Sequence, residues 1–205
     1  MEIYEKLRTK WTKEKLDAFS QEIASLYEQG KIRSPIHLCG DNATQLIEIF
    51  KLVKKEDFIF STYRSAFHWL LSGRSEEELK KQILEGHSMH IYGDKFFTSA
   101  IVGGTAPIAV GVALALKMQK SKQKVWVFLG DAAYECGIVR ESIRYSIGHN
   151  LSIKFVIENN GYCVRAKTQE VWGIGKSNKV IEYKYKRKFN HAGCALDGQT
   201  KYVMF

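Results

Sequence analysis

Several features are scarce or missing in this 205-residue chain, and each absence removes a class of protein. Cysteine is sparse: Cys39, Cys136, Cys163 and Cys194 lie far apart, with no C-x-x-C pair. Clustered thiolate metal sites and disulfide-stapled scaffolds need closer spacing, so a set of reduced thiols is the expectation. The opening stretch, "MEIYEKLRTKWTKEK", has no apolar h-region. No secretory signal is expected, and the cytoplasm is the expected compartment. The longest apolar run, "AIVGGTAPIAVGVALAL" at residues 100–116, is short and broken by Gly and Pro. It reads as a buried helix and not as a membrane span. No nucleic-acid recognition signature, repeat or linker is visible, so neither nucleic acid nor membrane is an expected partner.

What is present points to a globular body. Hydrophobic residues make up 45% and charged residues 26%, which suits a chain with a sizeable core. The net charge of +9 directs attention to anionic partners, among them a phosphorylated cofactor or an acidic surface. The densest basic cluster, "YKYKRKF" at residues 183–189, reads as part of a solvated tail.

Periodicity predicts a helix over residues 12–29, with Leu16, Phe19, Ile23 and Leu26 on one face and Gly30 closing it. A second helix is predicted over residues 42–53, starting at Asn42. "DFIFST" reads as a strand, and "SEEELKKQILEG" as a helix opened by a capping box from Ser75 to Glu78. An aromatic-rich loop is predicted through Phe97. The next helix has Pro107 in its first turn and runs to about Lys120. "KVWVFLG" and "IKFVIE" read as strands buried on both faces, with a helix over residues 135–148 between them. Strand, helix and strand in that order predict a parallel crossover. The expected fold class is α/β: a mostly parallel sheet with helices on both faces. One domain over residues 1–205 is expected, with an N-terminal helical segment (1–34) and a basic C-terminal tail (164–205).

In such sheets, ligands sit beyond the carboxyl ends of the strands. Asp131 and Asn160 stand at two such ends. A carboxylate and an amide oxygen suit a hard cation such as Mg²⁺, which shares its other positions with phosphates. Backbone N–H groups after Asp131 can receive phosphate oxygens. Taken singly, Asp131 is also a plausible helix N-cap, and Asn159 and Asn160 a polar turn.

The pattern "GDA" at residues 130–132 with "NN" at 159–160 resembles the thiamin diphosphate motif, GDG followed at this interval by NN. "HSMHIYGDKFFTSAIVGGTAPIAVGVALALK", "STYRSAFHWLLSG" and "GIVRE" resemble segments of one branch of that superfamily. The branch is the alpha subunits of pyruvate, branched-chain and acetoin dehydrogenases, and the resemblance runs through residues 35–163. It implies that Asp131, the Asn160 side chain and the Tyr162 backbone carbonyl ligate Mg²⁺. Gly130 belongs to the same motif, and Ala132 and Ala133 would offer N–H groups to the diphosphate. Tyr63 and Arg64 would reach the phosphates. Ala100 and Val102 would border the aminopyrimidine through their backbones. His37, in "IHLCGDNA", matches a family histidine near the reacting centre. His90 has no assigned role, and Glu141 is expected to be structural or at a subunit contact.

The resemblance further implies thiamin diphosphate and Mg²⁺ as cofactors and decarboxylation of a 2-oxo acid, with transfer of the two-carbon unit. The Glu that activates the pyrimidine ring would come from a beta-type subunit in a heterotetramer. Transketolase-like transfer to a small acceptor, or a non-catalytic cofactor-binding scaffold, are the alternatives. The sequence departs from the family at three places. Ala132 replaces the third motif glycine, Asn42 stands where the family has Glu, and the segment after "NN" lacks the family's later histidine loop. His191, in "KFNHAGCALDGQTKYVMF", does not match that loop.

Overall fold

The computed structural model describes residues 10–173 and 181–189. Contacts group the chain into two compact units, which cut across the predicted boundaries. The first takes the described residues up to Lys55, Tyr63–Ile91 and those from Lys186 on; the second takes Glu56–Thr62 and Tyr92–Tyr185.

The first unit is helical. Helix α1 (Lys13–Glu28) starts at Thr12, whose hydroxyl accepts the Lys15 N–H at 3.4 Å. Its buried face is Leu16, Phe19, Ser20, Ile23 and Tyr27, and Gly30 ends it at φ +70°, a conformation that favours glycine. Helix α2 (Ala43–Phe50) is shorter than predicted, and Asn42 makes no side-chain capping bond to it. Helix α3 (Ala66–Leu71), which periodicity did not reveal, is a single buried turn and a half. Helix α4 (Glu76–Leu84) has one arm of the predicted capping box: the Ser75 hydroxyl accepts the Glu78 N–H at 3.1 Å.

The second unit carries the sheet. Its strands are β1 (Phe58–Thr62), β2 (Tyr92–Gly93), β3 (Phe96–Ser99), β4 (Val125–Gly130), β5 (Ile153–Asn159) and an edge strand at Ile181–Lys184. The order is β2-β3-β1-β4-β5-edge, and every pairing is parallel except β2 with β3. The α/β class with a mostly parallel sheet therefore holds. Helix α5 (Thr105–Met118) lays Ala106, Ala109, Ala113 and Leu116 against Val125, Val127 and Leu129 of β4. Small side chains at those positions let the helix approach the sheet closely. Trp126 and Phe128 point to the opposite face and are also buried, which explains the unbroken apolar run. Burying a side chain such as Phe128 contributes roughly 2–3 kcal/mol.

Three predictions of local structure need correction. The aromatic stretch predicted as a loop through Phe97 contains β2 and the start of β3; pairing of β3 with β1 overrides its weak local pattern. The helix predicted over 135–148 starts at Gly137 as α7 (Gly137–Gly148), and an unpredicted short helix, α6 (Asp131–Tyr134), precedes it, with Cys136 extended between the two. The expected tail is structured in part. It contains β7 (Ala166–Lys167), which forms a hairpin with β6 (Tyr162–Cys163) just before it, helix α8 (Thr168–Trp172), and the edge strand, β8 (Ile181–Lys184). His191 and Cys194 lie outside the described residues.

Among the described residues, no helix is long and apolar enough to cross a membrane.

Candidate functional site

The ends of β4 and β5 lie side by side. Gly130 pairs with Glu158 in parallel register, so Asp131 and the two asparagines leave the sheet together. Gly130 is extended and Asp131 opens α6 immediately. Asp131 is buried. Its Oδ1 accepts the Asn160 N–H at 3.4 Å, and its Oδ2 accepts from the Thr168 hydroxyl. Burial pushes its carboxyl above the usual range, and the hydrogen bonds from Thr168 and from backbone N–H groups oppose that shift.

Two interlocked turns follow β5. Asn159 Oδ1 accepts the Gly161 N–H at 2.9 Å, and Asn160 Oδ1 accepts the Tyr162 N–H at 2.8 Å. Gly161 stands at φ +78° between them. The chain then forms the β6–β7 hairpin, and the Thr168 N–H donates back to the Gly161 carbonyl at 2.9 Å. Strand β8 closes the other side. Tyr183 donates its hydroxyl to Glu158, Asn159 donates its amide to Glu182, and Asn160 Nδ2 donates to the Tyr185 hydroxyl at 3.0 Å.

Ala132 is half-buried and Ala133 buried. Both stand in the first turn of α6, where N–H groups have no intrahelical acceptor. Ala132 has ordinary right-handed helical backbone, so its methyl group imposes no conformational strain where the motif usually has glycine. A side chain added at Gly130 or Gly161 would meet nothing within 4 Å, so there is open space beside both strand ends. Ala100 and Val102 lie in the turn between β3 and α5, half-buried and exposed respectively. Gly103 ends that turn at φ +74°, and a Cβ there would press within 3.0 Å of Val139.

His37, Tyr63 and Arg64 belong to the first unit and lie near one another. His37 is buried, with its ring 4.3 Å from the Tyr63 ring. Arg64 donates from Nη1 to the Leu38 carbonyl. His37 and Tyr63 line a small pocket with Ser20, Ile36, Ser65 and Ile83. His90 and Glu141 are exposed.

Sequence reasoning missed Thr168, Glu182, Tyr183 and Tyr185. A signal for β8 was present in the alternation of Ile181, Tyr183 and Tyr185 with charged residues; the signal for Thr168 was absent, because its role depends on the hairpin. Among the described residues, no group of three or more His, Cys, Asp and Glu side chains is placed to hold a metal ion. Any cation at the strand ends would rely on one carboxylate together with amide and carbonyl oxygens.

The family described as "Dehydrogenase E1 component" matches residues 12–178. This chain belongs to that family. Its curated relatives include the pyruvate dehydrogenase E1 component subunit alpha of Rickettsia prowazekii (strain Madrid E), 28% identical over 203 residues. That match covers 93% of this chain and 60% of the relative. The type I mitochondrial alpha subunit of Ascaris suum is 29% identical over 148 residues, covering 67% of this chain and 37% of that one. The chain thus spans about 60% of the length of the Rickettsia relative. The dehydrogenase alpha-subunit resemblance read from the motifs is borne out, and the family match extends past both ends of the 35–163 span.

Proposed function

We propose that this chain is an alpha-type subunit of a thiamin diphosphate- and Mg²⁺-dependent enzyme that decarboxylates a 2-oxo acid, with its active site completed by a beta-type chain. The observation that carries this reading is the convergence of Asp131 and Asn160 at adjacent parallel strand ends, beside open space and the free first turn of α6.

The residues present fit the group. A carboxylate, an amide oxygen and the Tyr162 carbonyl form an all-oxygen set, which suits Mg²⁺ better than a softer ion. The rest of its coordination would come from diphosphate and water. Asp131 supplies the formal negative charge, and cation binding would offset the cost of burying that charge. The N–H groups of Ala132 and Ala133 would orient phosphate oxygens, with the helical backbone fixing their direction. Tyr63 and Arg64 would hold further phosphate oxygens. Arg64 donates from Nη1 to the Leu38 carbonyl, and its planar guanidinium is the geometry suited to paired phosphate oxygens. The backbone at Ala100 and Val102 would border the pyrimidine. His37, buried against Tyr63, would hold or move a proton near the reacting centre. When bound, thiamin diphosphate supplies a carbanion nucleophile and an electron sink for cleavage beside a 2-oxo group.

The relatives are named alpha subunits, which supports a partner of the beta type. The alignment of Ala132 with the motif glycine does not favour a degenerate scaffold, because the helical backbone there tolerates a methyl group.

The test uses the full protein and the product of the neighbouring coding region. Release of CO₂ from a series of 2-oxo acids is followed with an artificial electron acceptor. Turnover that needs both chains, thiamin diphosphate and Mg²⁺ is the expected result. Undiminished turnover without cofactor, or by the isolated chain alone, would contradict the proposal.

A further inference from the structure

Two side chains that the sequence motif does not contain hold both candidate oxygen ligands from behind. Thr168 is buried and makes two bonds of different kinds. Its hydroxyl donates to Asp131 Oδ2, and its N–H donates to the Gly161 carbonyl at 2.9 Å. It therefore ties the carboxylate at the end of β4 to the turn at the end of β5. The other carboxylate oxygen, Oδ1, takes the Asn160 N–H at 3.4 Å. Both oxygens are thus oriented, and each keeps a lone pair for a cation.

Tyr185 acts on the second ligand. Its hydroxyl accepts Asn160 Nδ2 at 3.0 Å, while Asn160 Oδ1 takes the Tyr162 N–H at 2.8 Å. An amide has one face that donates and one that accepts. With Nδ2 held by Tyr185, the oxygen is the end available to a cation. The Tyr185 N–H also donates to the Asn159 carbonyl at 3.0 Å, so the backbone stays anchored without the hydroxyl.

We propose that Thr168 and Tyr185 are positioning residues that set the cation affinity of this site by fixing the Asp131 carboxylate and the Asn160 amide. The proposal rests on the cation-site reading given above. Partners of this kind, one step behind a ligand, typically govern metal affinity by about 10–100-fold. Neither residue is proposed as a cation ligand; each acts through Asp131 or Asn160.

The probe is Mn²⁺, which takes Mg²⁺ sites and is counted directly by the electron paramagnetic resonance of its free form. Titrations use this chain assembled with the product of the neighbouring coding region, with thiamin diphosphate and no substrate. Thr168→Val replaces the hydroxyl with a methyl group at nearly the same shape, and Tyr185→Phe deletes the hydroxyl. Each should weaken Mn²⁺ binding by about 10–100-fold. Thr168→Ser, which restores the donor, should bind close to the natural protein. Ser75→Ala, which loses a helix cap in the first unit, serves as a control for general loss of stability and should leave affinity unchanged. Undiminished Mn²⁺ binding by both Thr168→Val and Tyr185→Phe would overturn the positioning role while leaving the cation site intact. An equal loss in Ser75→Ala would overturn it too, by assigning the effect to stability alone. Absence of Mn²⁺ binding in the natural protein would overturn the cation-site reading and this inference with it.

Discussion

Asp57 Oδ2 accepts the Trp126 indole N–H at 3.0 Å, and its other oxygen accepts the Lys124 backbone N–H at 2.9 Å. The carboxylate is buried just before β1 and joins it to the start of β4. Asp57→Ala leaves two donors without this acceptor, one of them a buried indole. The expected loss is about 3 kcal/mol, since hydrogen bonds to charged groups are each worth about 1.5–3 kcal/mol. Asp57→Asn keeps one acceptor and should lose less. Urea unfolding followed by tryptophan fluorescence checks the order; an alanine variant as stable as the natural protein would show that the pair carries no weight.

Helix α5 offers a contrast between two neighbouring small residues. Gly111 is exposed in mid-helix, and a Cβ there meets nothing within 4 Å. Gly111→Ala should therefore stabilise the protein by about 0.5–1 kcal/mol. Ala113 is fully buried against the sheet. Ala113→Leu overfills that contact and should cost about 1–3 kcal/mol. Thermal unfolding of the two variants side by side tests the packing of α5, because the predicted shifts have opposite signs.

The body of the sheet was legible in the sequence because its signals are strong and local. The runs "KVWVFLG" and "IKFVIE" fall on β4 and β5, where continuous apolar character follows from burial on both faces. Their parallel pairing followed from the helix between them. The strand-end placement of Asp131 and Asn160 was legible for the same reason. What was not legible depends on contacts distant in sequence. Strand β3 is defined by pairing with β1, and β8 by pairing with β5; neither has a long apolar run of its own. The cluster "YKYKRKF" looked like a tail because its charges dominate, yet Tyr183 and Tyr185 within it hold Glu158 and Asn160. Thr168 reaches Asp131 only because the β6–β7 hairpin turns the chain back. His37 and Tyr63 were each named from the resemblance, but their ring contact was not foreseen, and no spacing rule would have supplied it.

Ala132 provides a third test. Its helical backbone removes the conformational reason for glycine, so Ala132→Gly should change thiamin diphosphate affinity by no more than about tenfold, or 1.4 kcal/mol. Fluorescence quenching by the cofactor checks this in both proteins. A glycine variant that binds where the natural protein does not would make this chain a non-binding relative.

The helix cap at Ser75 gives a fourth. Its hydroxyl accepts the Glu78 N–H at 3.1 Å and donates to Glu77 at 2.6 Å. Ser75→Ala should cost about 1 kcal/mol in a denaturant titration, and Ser75→Asp, which keeps an acceptor, should cost less.

The central claim is that Asp131 anchors a cation through which thiamin diphosphate is held. Calorimetric titration of the protein assembled with its neighbouring chain, using thiamin diphosphate with Mg²⁺ present and then chelated, tests it most directly. The natural protein should bind in a Mg²⁺-dependent way, and Asp131→Ala, with its charged oxygen ligand gone, should show no Mg²⁺-dependent binding. Equal, Mg²⁺-dependent affinity in the Asp131→Ala variant would contradict the assignment of the site.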